Sequence, residues 1–274
     1  MTDPAELDGL RAVVLGGLGT IGAAVSRAFA NAGAEVVVAD LPVRARADPP
    51  VDVLADASLQ NVAELPGLSS SRKFRAVDVR SSKSVEDLAT YMWDTGGVDA
   101  VVYAPGVNYT DYVVNTDWDE YRRLMAVNLD GAFHTAKSFG SRQLAAARGG
   151  SFTFVASTAG KRGEAGASVY CATKFGLIGL VESFADEVAP HGIRINAVCP
   201  GNVEGAMINW LAEAVAEREA VPMDEVVRRF ETASAAGRFL KPEEVGSVCV
   251  WLASPAASAV MGASIVVDAA TLSQ

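Results

Sequence analysis

The sequence predicts a single α/β domain built on a doubly wound parallel sheet, with helices packed against both faces. Three observations carry that expectation. Short runs rich in Val, Ile and Ala alternate with longer segments of helical periodicity along the chain. Those runs are apolar at successive positions, as strands covered on both faces require. A chain of 274 residues, 50% of them hydrophobic, suffices for one large core, and no linker, repeat or low-complexity tract divides it. The expected domain spans 1–274, with 202–236 as a helical lid over the substrate.

Taken in order, Arg11-Ala-Val-Val-Leu-Gly16 reads as the first strand and Gly17-Leu-Gly19-Thr-Ile-Gly22 as a glycine turn. A helix follows to Gly33, and Ala34 to Asp40 is the second strand. Gly16, Gly19 and Gly22 permit a tight turn and close approach to a pyrophosphate, whose charge meets the helix N-terminus at Thr20, Ile21 and Gly22. Asp40, at the end of the second strand, is placed to accept from both hydroxyls of an adenosine ribose. A carboxylate there repels a 2′-phosphate, and neither Gly19 nor Leu41 supplies a compensating cation, so NAD is expected over NADP. Arg44 and Arg46 are the counter-indication, in a Pro-rich connection from Leu41 to Pro50 where a solvated role is expected.

A helix over 53–64 precedes a short strand, Phe74 to Val79, whose Asp78 is placed for the adenine amino group. Ser82 to Asp94 reads as helix and Val98 to Gly106 as strand. Asp117 or Thr116 then caps a helix through Ser138 with Asn128 in its interior. An asparagine inside an apolar helix needs a partner, so it bonds a neighbouring carbonyl or holds a water.

The densest chemistry lies between Ser157 and Lys174. Tyr170 and Lys174 stand four apart at the start of a helix, so both side chains emerge on one face. A phenol titrates near ~10 in water, and a neighbouring cation pulls it towards neutrality. Ser157 ends the strand from Gly150, and the loop 158–167 folds its hydroxyl back towards the phenol, where it can hold a carbonyl oxygen. After this come a helix to about Val188, a strand Arg194 to Cys199, the turn Pro200-Gly201 and the amphipathic helical stretch Asn202 to Ala236. A helix from about Pro242 to Ala253 and a strand Ser264 to Asp268 complete the pattern.

Composition excludes several classes. The formal net charge is −10 and no Lys/Arg run tracks a phosphate backbone, so nucleic acid is not an expected partner. No signal-peptide pattern and no apolar stretch of membrane-spanning length occur, which points to a cytoplasmic protein without membrane attachment. Cys171, Cys199 and Cys249 lack metal or redox spacing and read as core residues. His134 and His191 read as structural, and no metal site is expected.

The glycine turn, Asp40, Asp78-Val79, Gly106, Val127-Asn128-Leu129, Ser157, Tyr170, Lys174, Pro200-Gly201, Gly237-Arg238-Phe239 with Pro242-Glu243-Glu244, and Val267-Asp268 fall in one family's order and spacing. In these the chain resembles the short-chain dehydrogenase/reductase family, over nearly its whole length. The resemblance implies a sheet of about seven strands, a homotetramer or homodimer, and a catalytic tetrad of Asn128, Ser157, Tyr170 and Lys174. It also implies cofactor contacts at Val79, Ala104, Gly106, Pro200 and Gly201, and backbone contacts around Val203 to the nicotinamide amide. The implied activity is alcohol oxidation or ketone reduction by hydride transfer. Tyr170 is then acid and base, Lys174 lowers its pKa and bonds the nicotinamide ribose, and Asn128 anchors a water linking Lys174 to solvent.

Four positions depart from the family's pattern. The middle glycine of the turn is displaced to Gly19, Asn-Asn-Ala-Gly is Tyr103-Ala104-Pro105-Gly106, a common Thr is Gly205, and Asp-Gly-Gly is Asp268-Ala269-Ala270. The altered 103–106 turn leaves open a competing reading, an NAD-binding redox sensor or scaffold without turnover. For the substrate, Asn108, Tyr109, Glu164, Asn202 and Trp210 are the candidate contacts. The lid is net negative, with Met207, Ile208, Trp210 and Leu211 apolar, which suits a small neutral hydroxy or keto compound over acyl-CoA or carrier-bound ones. Lys161 and Arg162 are the first alternatives should an anion bind.

Overall fold

The computed structural model describes residues 7–42 and 74–272. The expected helix over 53–64, and Arg44 and Arg46, lie outside the described residues. Seven parallel strands form one sheet in the order β3-β2-β1-β4-β5-β6-β7. They are β1 (Arg11–Leu15), β2 (Glu35–Asp40), β3 (Phe74–Ala76), β4 (Ala100–Tyr103), β5 (Gly150–Val155), β6 (Ile193–Pro200) and β7 (Ser264–Val267).

Side chains alternate across this sheet, and each face has its own core. Val13, Leu15, Val37, Ala39, Val101 and Tyr103 point to the face covered by α2 (Ser82–Asp94), α4 (Gly131–Ala145) and α5 (Ser168–Val188). Ala12, Val14, Val36, Val38, Ala100 and Val102 point to the face covered by α1 (Thr20–Asn31) and α8 (Pro242–Ala253). Burial on both faces explains why the strands lack a polar side. Each large side chain buried there contributes about 1.5–3 kcal/mol relative to exposure.

The strand order reverses between β1 and β4. In open α/β sheets that reversal opens a crevice at the carboxyl ends of the strands. Two glycines shape it. Gly16 has φ +70°, and a Cβ there would lie 2.6 Å from Pro105 N. A Cβ on Gly22 would overlap the Gly16 carbonyl, so the helix start packs directly on the turn.

The expected helix from Asp117 to Ser138 differs in two ways. Asp117 caps α3 (Trp118–Met125) by accepting from Asp119 N at 2.7 Å, and helix continues to Ala145. Between α3 and α4 lies one π turn, Ala126–Asp130, at whose end Gly131 N–H bonds Ala126 O rather than Val127 O. A π turn inserts one residue into the helix and swings the side chains that follow it.

Residues 202–236 form two helices, α6 (Ala206–Glu219) and α7 (Met223–Thr232), rather than one stretch. Ala220 is left-handed at φ 53° and Pro222 follows, so the chain cannot continue the helix. The pair has a small core of its own in Ala212, Val215 and Val226. After β7 the chain turns through Ala269 and Ala270, both left-handed, with Ala270 N and Leu272 N donating to the Asp268 carboxylate. Among the described residues no helix is long and apolar enough to cross a membrane and no cluster of metal-binding side chains occurs.

Candidate active site

A cavity of about 890 Å³ opens at the crevice and runs beneath the α6–α7 pair. Every residue expected at the cofactor lines it: Gly16, Gly19, Thr20, Ile21, Gly22, Asp40, Asp78, Val79, Ala104, Gly106, Tyr170, Lys174, Pro200, Gly201 and Val203. Ser157 joins them, while Asn128 lies fully buried just behind the wall.

The glycine turn and α1 fit a dinucleotide by geometry. Gly19 N donates to Gly16 O at 3.0 Å, closing the turn, and α1 begins at Thr20 with its first backbone donors on the cavity wall. The missing side chains at Gly16 and Gly22 let the turn press against Pro105 and against the start of α1, so that backbone itself forms this part of the wall. Asp40 accepts from Leu18 N at 2.8 Å and Leu41 N at 2.7 Å, so its carboxylate also braces the turn. Asp78 has a prior partner: Arg80 grips both of its oxygens at 2.9 Å and holds its carboxyl below the usual range. That grip is missed when Asp78 is read apart from Arg80, two residues on. At Val203 a parallel bridge to Leu240 uses Asn202 O and Glu204 N, which turns Val203's own peptide groups away from Leu240.

Around the reacting end, Ser157 sits two residues beyond β5 in extended backbone, its Oγ accepting from Ala159 N at 3.1 Å. Tyr170 and Lys174 occupy the first turns of α5, as four-residue spacing requires. Lys174 is 3% exposed, donates to Val155 O at 3.0 Å and lies 5.6 Å from the centre of the Tyr170 ring. Burial pushes the Tyr170 phenol up to about 12 against the lowering effect of the Ser157 hydroxyl, with the Glu164 carboxylate adding to the rise. Burial likewise brings Lys174 down to about 8. The expected direction for Tyr170 is thus reversed in the protein alone: desolvation outweighs the hydrogen bond from the Ser157 hydroxyl.

Asn128 adopts the first of its two expected roles. Its amide donates to Val107 O and its carbonyl accepts from Val107 N, both at 2.9 Å, which clamps the segment leaving β4. The same amide donates to Thr173 Oγ1 at 3.1 Å, and Thr173 donates to Tyr170 O at 2.7 Å. Thr173 was not singled out from the sequence, although it adjoins Lys174.

Of the candidate substrate contacts, Asn108, Glu164 and Asn202 line the cavity, whereas Tyr109 and Trp210 do not. The α6 face that meets the cavity carries Met207, Ile208 and Leu211, and Trp210, on the flank of that face, is not part of the wall. Asn202 is tied to Phe230 O at 3.0 Å. The wall also holds four arginines not singled out from the sequence as pocket residues: Arg80, Arg123, Arg218 and Arg229. Each is ion-paired, the last three with Glu120 at 2.6 Å and with Glu219 at 3.0 and 2.7 Å. Lys161 and Arg162 are exposed and lie off the wall.

A doubly wound sheet with a glycine-turn crevice and Ser157, Tyr170 and Lys174 on one cavity defines a Rossmann-type oxidoreductase. The family model described as Enoyl-(Acyl carrier protein) reductase matches residues 17–269. The chain belongs to the short-chain dehydrogenase/reductase family. It is 29% identical to sorbitol dehydrogenase of Cereibacter sphaeroides, over 96% of this chain and 97% of that one. It is 33% identical to meso-2,3-butanediol dehydrogenase of Serratia marcescens, over 94% and 93%. A solved structure from Beutenbergia cavernae, assigned to an NAD(P)-dependent gluconate 5-dehydrogenase and holding NADP at low occupancy, superposes with TM-score 0.83 at 28% identity, covering 99% of this chain and 100% of that one.

Proposed function

We propose that the protein is an NAD-dependent dehydrogenase that interconverts a secondary alcohol and a ketone on a small neutral compound, a diol or polyol by preference. The observation that carries the reading is the meeting of Ser157, Tyr170 and Lys174 on one cavity with the glycine turn and Asp40. When bound, the nicotinamide cofactor supplies the hydride acceptor or donor. Ser157 holds the substrate oxygen. Tyr170 gives a proton to that oxygen in ketone reduction and removes it in alcohol oxidation. Lys174, with Asn128 behind it, opposes the effect of burial on the phenol and carries the proton onward to solvent through a water. The α6–α7 pair serves as the lid over the substrate, and the chain works in the cytoplasm as a homotetramer or homodimer.

Support for a neutral, hydroxyl-rich substrate comes from the wall's pairing. Glu219 lies between Arg218 and Arg229, so neither guanidinium offers an unopposed charge to a phosphate. The Glu164 carboxylate, pushed up by burial, and the half of the Asn108 amide left unused beside Tyr109 N offer an acceptor and a donor. The names of the sorbitol and butanediol dehydrogenases agree with such a substrate.

The test is NADH formation with neutral secondary alcohols, diols and polyols, set beside phosphorylated and CoA-linked hydroxy compounds at low and high salt. Turnover of the neutral set with NAD supports the reading. A salt-weakened preference for the anionic set overturns the substrate assignment, and no turnover with any alcohol or ketone leaves the redox sensor as the better account. Wild type should favour NAD over NADP, and Asp40→Ala should narrow that gap; a wild-type preference for NADP contradicts the role given to Asp40.

A further inference from the structure

We infer that Tyr103, at the carboxyl end of β4, is a positioning residue for Asn128, acting through the π turn that carries it. The inference rests on the proposed role of Asn128 beside Lys174.

Tyr103 is 1% exposed, and its ring packs against Phe154 with centroids 6.0 Å apart. Its hydroxyl donates to Val127 O. That carbonyl is the one an α-helix would have given to Gly131 N–H, which instead bonds Ala126 O. Tyr103 therefore supplies a donor where the helix withdraws one. A carbonyl that loses its donor away from water bears the cost of its own desolvation, which drives the turn to be redrawn. Gly131 completes the arrangement, because a Cβ there would overlap the Tyr103 hydroxyl. Burial and the nearby Asp130 carboxylate keep the phenol protonated, so it serves as donor throughout the working pH range.

The consequence reaches the site through one residue. Asn128 follows Val127, and its side chain holds both peptide groups of Val107 and bonds Thr173 beside Lys174. A Cβ on Gly106 would come within 3.7 Å of Lys174 Nζ and 3.9 Å of Asn128 Oδ1, which places all three groups together. Tyr103 and Val107 lie at the two ends of the turn leaving β4, and each is tied to an adjacent residue of the π turn. Displacing Val127 moves Asn128 against both.

Tyr103→Phe removes the hydroxyl and leaves the ring to pack. Its kcat should fall roughly ten- to a hundredfold, the scale of an ångström-level misplacement, with KM and NADH affinity unchanged. The pH profile of kcat should move in the same direction as in Asn128→Ala, and Tyr103→Phe/Asn128→Ala should be no slower than Asn128→Ala alone. Amide exchange at Val107, measured without cofactor, should quicken. If Tyr103→Phe does not fold, Gly131→Ala displaces the same hydroxyl and should give the same kinetic and exchange pattern. Wild-type kcat, pH profile and Val107 protection in either variant, or fully additive losses in the double variant, would overturn the inference. Absence of alcohol turnover in wild type would instead remove the proposed function, and the exchange result would still judge the link from Tyr103 to Val107.

Discussion

The cofactor side of the cavity and the α6–α7 side are built differently. Around the glycine turn, support comes from the sheet itself: Gly16 N bonds Ala39 O at 2.8 Å, Leu18 N bonds Asp40, and the flanking residues belong to the two cores. The α6–α7 pair rests on three fully buried apolar residues and on the Arg218–Glu219–Arg229 ion pairs, which are partly solvated. Solvated pairs contribute little, on the order of 0–1 kcal/mol each. One side is fixed by the fold, and the other rests on fewer contacts. On the function proposed above, such a design would let substrate preference vary while the chemistry stays.

The sharpest break in that contrast is Tyr170→Phe, which touches the reacting end where both sides meet. Turnover should fall by about 10²–10⁴, the share of a general acid and base, while NADH binding followed by fluorescence stays intact. Near-native turnover would remove Tyr170 from the mechanism. Gly22→Ala acts on the cofactor side alone. The new Cβ meets the Gly16 carbonyl, and overpacking of about 1–3 kcal/mol should appear as weaker NADH binding at an unchanged substrate optimum.

Val226→Ala acts on the other side. It empties part of a three-residue core, and a cavity cost of roughly 1–3 kcal/mol should raise KM for substrate while NADH affinity holds. A loss of NADH affinity equal to the rise in KM would show that the two sides are one cooperative unit. The smallest effect concerns pH. Lys174, at about 8 when folded and about 10.5 in an open chain, binds fewer protons folded than unfolded between those values. Stability without cofactor should therefore rise with pH across that window. Tyr170 works the other way, keeping its proton when folded up to about 12, so stability should fall above about 10. Melting temperatures of Lys174→Met should lack the rise between 8 and 10. Rates should follow the same phenol: alcohol oxidation quickens as pH rises and ketone reduction slows.

The same contrast governs what could be read in advance. The strands, the glycine turn and the four-residue step from Tyr170 to Lys174 are local patterns, and the structure keeps them. Long-range features were hidden. The position of Tyr103 under the π turn depends on how β4 meets α3 and α4, and no spacing records it. Trp210 was misplaced because periodicity gives a helix its faces without saying which one meets the cavity. The reversed direction for Tyr170 has a related cause: spacing shows the ammonium, whereas the burial that raises the phenol belongs to the assembled site.

The turn after β7 has a bearing on the durability of the molecule. Left-handed backbone costs alanine roughly 1–2 kcal/mol per residue, and Ala269 and Ala270 both adopt it. Tethers hold them there, among them the two bonds to the Asp268 carboxylate and Ala236 N, at the exit of the α6–α7 region, bonding Ala269 O at 3.4 Å. The turn behaves as a spring under tension. Were the bonds to Asp268 cut, the coil would recoil, and the first piece set loose would be the hem of the α6–α7 region while the crevice at the glycine turn stands.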